Sequence, residues 1–407
     1  MRIAVQKYGG SSVATAEKLR AVAKLVVAKK REGFDMVVVV SAMGDTTDEL
    51  LKLSKQISSN PNRRELDMLL STGERISMSL LAIAIEGLGE RAVSLTGSQS
   101  GIITSSSHTN ARIMEVRPFR VIDELEAGQI VIVAGYQGVS YRRDVTTLGR
   151  GGSDTTAVAL AAALDAESCE IFSDVDGVYT ADPRIVPDAK KLEAIDYEEM
   201  QEMAVHGARV LNATAVEFAK EKGIAIYARK TGSGLPGTIV RRNVPVPSSG
   251  VRGIAHEHRV AVVAGPVSSA DRALSCLSAL ESLGAQPRDI GMVRHGDGFH
   301  LDFTSSLFDV HSEEALRDCA NSFLGAGSYR SDRGTLSLVG EGVGSRVERI
   351  ERAAGALRAE GLEVFGLATS TFRITFVVDD ASVAKGARVL HSTFALDREA
   401  AVSLTVE

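Results

Sequence analysis

Met36-Val-Val-Val-Val40 is an unbroken apolar run rich in β-branched residues, the pattern of a strand covered on both faces. Residues 130–134 repeat it, 169–173 read as a similar buried strand, and residues 3–7 also read as a strand. Strands of this kind belong to parallel sheets, whose crossovers are usually helices. Helical patterns stand where they are needed. Over 15–33 the apolar Leu19, Val22, Val26 and Val27 share one face, basic residues fill the last turn and Gly33 is a stop. Further helices are predicted at 65–88, 118–127, 154–164 and 197–222. The first 240 residues or so therefore read as an α/β domain with a largely parallel sheet and helices on both faces.

Around Arg241-Arg-Asn-Val-Pro-Val-Pro-Ser-Ser-Gly250 the periodicity fails and Pro and Ser take over, which marks a boundary. Beyond it one order of elements occurs twice: strand, helix, two strands, helix, strand. Strands are expected near Val260, Ile290 and His300, then near Leu336, Glu363 and Ile374. The predicted domains are 1–243, a first small α+β unit at 251–331 and a second at 332–407, with a C-terminal strand that the two units can share. A chain of 407 residues with 44% hydrophobic and 24% charged residues can bury several cores. Its net charge of −6, with basic residues scattered rather than gathered, argues against a nucleic-acid surface. No apolar run approaches a membrane span and the N-terminus runs straight into a strand, so a cytoplasmic protein is expected. Cys169, Cys276 and Cys319 lack metal-finger spacing and are expected to be reduced thiols.

Two glycine-rich turns carry the chemistry. In Lys7-Tyr-Gly-Gly-Ser-Ser12 the backbone N–H groups can close on an anion while Lys7 supplies a positive charge. Glycine pairs also occur in such turns for conformational reasons alone. The second, Thr146-Thr-Leu-Gly-Arg-Gly-Gly-Ser-Asp-Thr-Thr156, leads into an apolar helix. It suits a polyphosphate, yet Asp154 beside a phosphate is electrostatically wrong unless it organises a cation, either Mg²⁺ or Lys7. As a bare N-cap, Asp154 would need no preceding Arg-Gly-Gly.

Ser173-Asp-Val-Asp-Gly-Val-Tyr-Thr-Ala-Asp-Pro-Arg184 starts at the end of a buried strand, where open α/β sheets bind ligands. A nucleotide fits there, and so does a solvated acidic turn. Ser41-Ala-Met-Gly-Asp-Thr-Thr47 and Ser71-Thr-Gly-Glu-Arg75 add hydroxyls, a carboxylate and a guanidinium. Glu74 could bind an ammonium and Arg150 a carboxylate, which together would select an amino acid. His256-Glu-His258 falls in the linker region without metal-site spacing.

Together these segments, with Val40-Ser-Ala-Met-Gly-Asp-Thr-Thr-Asp-Glu-Leu50, resemble the aspartate kinases of the amino-acid kinase superfamily. The resemblance implies the amino-acid kinase fold and ATP-dependent phosphorylation of the L-aspartate side-chain carboxylate, the first step toward lysine, threonine, methionine and isoleucine or a related specialised pathway. It implies Lys7 and Asp154 as catalytic residues, and Ser41, Thr47, Glu74, Arg150 and Ser153 on aspartate. Lys7, Gly9, Gly10, Ser11, Ser173, Asp174, Tyr179, Arg184 and Lys230 would line the nucleotide site, with Mg²⁺ held by the ATP phosphates rather than by the protein.

The C-terminal units resemble ACT domains, which bind lysine or threonine as feedback inhibitors and build dimers. A homodimer through them is therefore expected, and a heteromer with a small ACT subunit is a second possibility. The chain departs from the usual effector motifs. Gly265-Pro-Val-Ser-Ser-Ala-Asp271 replaces an Asp-Lys-Pro-Gly loop, Gln286-Pro-Arg-Asp-Ile-Gly-Met292 an Asn-Ile-Asp-Met segment, and Ala368-Thr-Ser-Thr-Phe-Arg-Ile-Thr375 a Ser-Thr-Ser-Glu-Ile-Arg-Ile-Ser segment. Weak or absent feedback by lysine and threonine is the expectation. In the kinase part Asn212-Ala-Thr214 stands where His-Pro-Arg is often found.

Overall fold

A computed structural model describes residues 1–149, 151–208, 210–247, 249–308, 310 and 312–397. They divide into two compact units: 1–178 with 191–204 and 210–244, and 179–190 with 205–208 and 245–397.

The first unit contains strands β1 (Ile3–Tyr8), β2 (Asp35–Val40), β3 (Ala92–Leu95), β4 (Ile102–Thr104), β5 (Ile113–Val116), β6 (Ile130–Ala134), β7 (Gln137–Ser140), β8 (Val145–Thr147), β9 (Ser168–Ser173), β10 (Ala194–Ile195), β11 (Ile226–Lys230) and β12 (Thr238–Val240). Its helices are α1 (Ala16–Arg31), α2 (Thr46–Ile57), α3 (Arg63–Glu86), α4 (Phe119–Glu126), α5 (Gly152–Ala163), α6 (Tyr197–Val205) and α7 (Ala213–Lys222). Eight strands form one sheet in the order β10-β12-β11-β9-β1-β2-β6-β3, parallel throughout except between β11 and β12. The continuous apolar runs are its central strands, buried on both faces as expected.

One face packs Ala4, Met36, Val38, Ile130 and Ile132 against α1 and α3. α5, whose Ala157, Val158, Leu160 and Ala161 are fully buried, packs on β1, β2 and β9. Small residues let it sit close. A second sheet, β5-β4-β7-β8, has strands of only three or four residues, too short to show a period in the sequence. The helix expected over 197–222 is broken into α6 and α7. Gly207 between them has φ +113°, and a Cβ there would collide with the His256 carbonyl. Asn212 then restarts the helix by accepting from Ala215 N at 3.1 Å.

The second unit carries β13 (Gly253–Val267), β14 (Arg288–His295), β15 (Gly298–Ser306), β16 (Tyr329–Val339), β17 (Gly366–Ser370) and β18 (Arg373–Asp379), with α8 (Ala270–Ser282), α9 (Glu313–Leu324), α10 (Val347–Ala359) and α11 (Val383–Thr393). Its antiparallel sheet runs β14-β15-β13-β16-β18-β17. His256-Glu-His258 lies within β13, not in a linker as the sequence suggests. β13 serves two cores. Ile254 packs with Leu336, Phe376, Leu357 and Leu390, whereas Ala261 and Val263 pack with Phe303, Cys276, Leu280 and Leu316. The switch falls between Glu257 and Val260, where the pairing shifts register. Segment 179–190 adds Ala181 and Val186 to the first of these cores, and Thr180 Oγ1 meets His391 Nε2 at 2.9 Å.

Candidate functional site

The site of the first unit lies at the carboxyl ends of the parallel strands, the position that open α/β sheets leave free for ligands. Lys7, one residue from the end of β1, is in register with Val39 and Ile171. Its Nζ is 2.6 Å from Asp154 Oδ1, and both side chains are about nine-tenths buried. Gly9 follows, donating its N–H to the Phe172 carbonyl at 3.1 Å, and a Cβ on Gly9 would stand 3.4 Å from Lys7 Nζ. Gly10–Ser12 makes a single 3-10 turn, with Ser11 exposed and its carbonyl taken by Lys18 Nζ at 2.8 Å. A Cβ on Gly10 would be 2.9 Å from the Ala42 carbonyl, so this turn and the 41–47 turn touch backbone to backbone.

The 41–47 turn is held from below by α3. Ser77 Oγ donates to the Ser41 carbonyl at 2.6 Å, and Ala42 N donates to Glu74 Oε1 at 3.0 Å. Gly73 permits the approach, since a Cβ there would lie 2.8 Å from Ala42 Cβ. Glu74 is 3% exposed, its Oε2 has no hydrogen-bond partner among the described residues, and burial pushes its carboxyl up to about 7. Burial alone favours the protonated carboxyl, and a cation at Oε2 would favour the ionised one. Thr47 sits in the first turn of α2.

The second glycine-rich turn delivers α5. Gly151 is left-handed at φ 72° and no side chain caps the helix, which suits an anion near its first N–H groups. Ser153 is buried against Gly135, whose Cβ would be 2.7 Å from Ser153 Oγ. Arg150, expected on the substrate carboxylate, lies outside the described residues.

On the other side of Lys7, Ser173 ends β9 in register with Lys230 at the end of β11, and Asp174 follows exposed. Thr231 binds the Ser173 carbonyl through N at 3.0 Å and Oγ1 at 3.2 Å, and its hydroxyl is 2.6 Å from Ser12 Oγ. It ties the first glycine turn to β9 and β11. Tyr179 and Arg184 fall in the second unit, where Arg184 grips Asp182 through Nε and Nη2. The first unit thus brings Lys7, Gly9, Gly10, Ser41, Glu74, Ser153, Asp154, Ser173 and Lys230 to one end of its sheet. Cys169, beneath the site and fully buried with Asp154 and Glu170 nearby, has its thiol pushed up and is no nucleophile.

Two groups in this region form no motif in the sequence. Thr231 is one. Asp67 is the other: fully buried on α3, it accepts from Thr109 N at 3.0 Å and Thr147 Oγ1 at 2.5 Å, and its Oδ2 is 2.6 Å from His108 Nδ1. Its spacing of seven from Glu74, about two helical turns, is the only trace it leaves in the sequence.

Residues 2–229 match the model of the amino acid kinase family. The chain is 45% identical to an aspartokinase of Mycolicibacterium smegmatis over 99% of both chains, and 43% identical to one of Corynebacterium glutamicum over 98% of this chain and 97% of that one. Among solved structures it resembles Escherichia coli aspartokinase III in complex with aspartate and ADP, with a TM-score of 0.81 at 22% identity over 96% of this chain and 99% of the other. The chain belongs to the amino acid kinase family and, within it, to the aspartokinases.

Proposed function

We propose that Lys7 and Asp154 carry the transfer of the γ-phosphoryl group of ATP to the side-chain carboxylate of L-aspartate, giving 4-phospho-L-aspartate. The observation behind this is the buried Lys7–Asp154 pair beside the first glycine turn. A buried ion pair contributes little net stability, so its presence in a glycine-lined cleft speaks for a role in charge handling. The acceptor carboxylate is already a nucleophile at neutral pH, and no strong base is required. Lys7 neutralises charge on the transferring group, and Asp154 holds the ammonium in line. Mg²⁺ enters on the phosphates as part of the nucleotide substrate and shields their oxygens.

Glu74 receives the substrate ammonium. Ser41, Thr47, Arg150 and Ser153 surround the rest of the amino acid, while Gly9, Gly10, Ser11, Ser173, Asp174 and Lys230 face the nucleotide. An ATP- and Mg²⁺-dependent aspartyl hydroxamate assay tests the reading. Lys7→Ala is expected to lower kcat by about 10² or more with KM for aspartate little changed, as loss of a transition-state contact should; near-normal turnover would remove Lys7 from the mechanism.

In the second unit, Arg373 and Asp289 come from two of the segments that depart from the usual effector motifs. They form an ion pair at 2.6 Å with both side chains over nine-tenths buried. Side chains that satisfy each other leave less for an incoming amino acid, which supports weak or absent control by lysine and threonine. The edge strand β14 exposes Ile290, Met292 and Val293, which favours assembly as a homodimer.

A further inference from the structure

We propose that Asp67 is a positioning residue that fixes the span between Glu74 and the start of α5 at Ser153 and Asp154, and so sets which length of amino-acid substrate the site accepts. The inference rests on the reading of Glu74 as the ammonium subsite.

Asp67 and Glu74 are seven residues apart on α3, so both project from nearly the same face. Both are buried, but they end in opposite ways. Glu74 keeps one oxygen without a partner among the described residues, as a ligand group would. Asp67 spends both oxygens on the protein: Oδ1 on Thr109 N and Thr147 Oγ1, Oδ2 on Thr109 N at 3.2 Å and on the His108 ring nitrogen. Hydrogen bonds to an ionised group are the strong ones. A burial this complete is tolerated only when the lone pairs are met.

What those donors hold is the end of β8 and the wall of Gly149. Thr147 is the last residue of β8, three positions before Arg150. Thr109, left-handed at φ 67°, also belongs to the wall of Gly149: a Cβ on Gly149 would lie 2.8 Å from Asn110 Oδ1 and 3.6 Å from the Thr109 carbonyl. Gly152 N then bonds the Gly149 carbonyl at 3.1 Å, and Ser153 and Asp154 follow in α5. One carboxylate thus fastens the helix that carries Glu74 to β8 and to the 108–110 loop against Gly149, whose carbonyl takes the Gly152 N–H at the start of α5. Aspartate and glutamate differ by one methylene, roughly 1.3 Å of reach. That methylene lies between the ammonium and the reacting carboxylate, so the frame that tells the two apart is the one holding Glu74 against Lys7 and Asp154 at the start of α5, and misplacement on the order of 1 Å can cost up to about 10²-fold.

The test measures KM for aspartate and for ATP separately, and the ratio of kcat/KM for aspartate over glutamate, in Asp67→Asn, Thr147→Val, His108→Ala, His108→Asn and Glu74→Gln. Expected are a rise of about tenfold in aspartate KM for Asp67→Asn, ATP KM within about twofold of the parent, and a lower aspartate/glutamate ratio. Thr147→Val and His108→Ala should shift the same way by less. His108→Asn, which can offer an amide N–H in place of Nδ1–H, should restore much of the parent value. Should Asp67→Asn fail to fold, the Thr147 and His108 variants decide. Aspartate and ATP KM moving together, or an unchanged aspartate/glutamate ratio, would overturn the positioning role. If Glu74→Gln leaves aspartate KM unchanged, the ammonium reading itself fails, an outcome distinct from the failure of Asp67 alone.

Discussion

Lys7 and Glu74 show how differently two buried charges of one cleft are settled. Lys7 has its counter-ion at 2.6 Å, whereas Glu74 has one backbone N–H and, among the described residues, a bare oxygen. Burial raises the Glu74 carboxyl to about 7, above its ordinary value of 4.5. The stability that the protonated group contributes is full below about pH 4.5 and is lost as pH rises through about 7. An ammonium at Oε2 reverses the preference and favours the ionised form. Aspartate binding should therefore release a proton between about pH 5 and 7, and kcat/KM for aspartate should climb with pH up to about 7. In Glu74→Gln both the proton release, measured by calorimetry in buffers of different ionisation heat, and the climb should vanish. These charges were legible in the sequence because each stands in a short motif where its sign demands explanation. Asp67 was not, since its donors lie 41, 42 and 80 residues away and only the fold assembles them.

Among the elements, α3 has the most exacting fit. It is 24 residues long, the one described helix long and apolar enough to span a membrane, yet it carries Glu74 and Arg75 midway and packs on α1, β3 and β6. Gly73 in its middle forgoes about 1 kcal/mol of helix propensity relative to alanine. In exchange it admits Ala42, whose Cβ would lie 2.8 Å from an added methyl. Overpacking of that kind costs about 1–3 kcal/mol. Gly73→Ala, which would stabilise an ordinary helix, should here lower stability by roughly 1 kcal/mol in urea titration and raise aspartate KM as Ala42 N draws away from Glu74. The long helices and doubly buried strands were readable because apolar content persists over many residues. The break between α6 and α7 was not, because the helical pattern resumes beyond it and only Gly207 marks the close approach of the His256 carbonyl.

Over the whole molecule, one crossing between the compact units, at Val244/Pro245, falls within the stretch 241–250 where the composition changes. The excursion of 179–190 into the second unit was not visible, because Ala181, Val186 and Thr180 look like any loop until their neighbours are known. A fragment beginning at Pro245 would lack these residues and leave His391, 2% exposed, without the Thr180 hydroxyl. It should be less stable than the same unit in the full chain by on the order of 3 kcal/mol, read from its melting in denaturant. Activity in the presence of millimolar lysine and threonine, singly and together, should stay near its uninhibited level; strong inhibition would sink the reading of the Arg373–Asp289 pair. The same interleaving orders events in time. Thr180 precedes His391 by 211 residues, so a ribosome releases the loop long before the helix that will receive it. The 179–190 segment must therefore wait, unsatisfied, until α11 has been made, and closure of this part of the second unit comes well after the segment itself in biosynthesis.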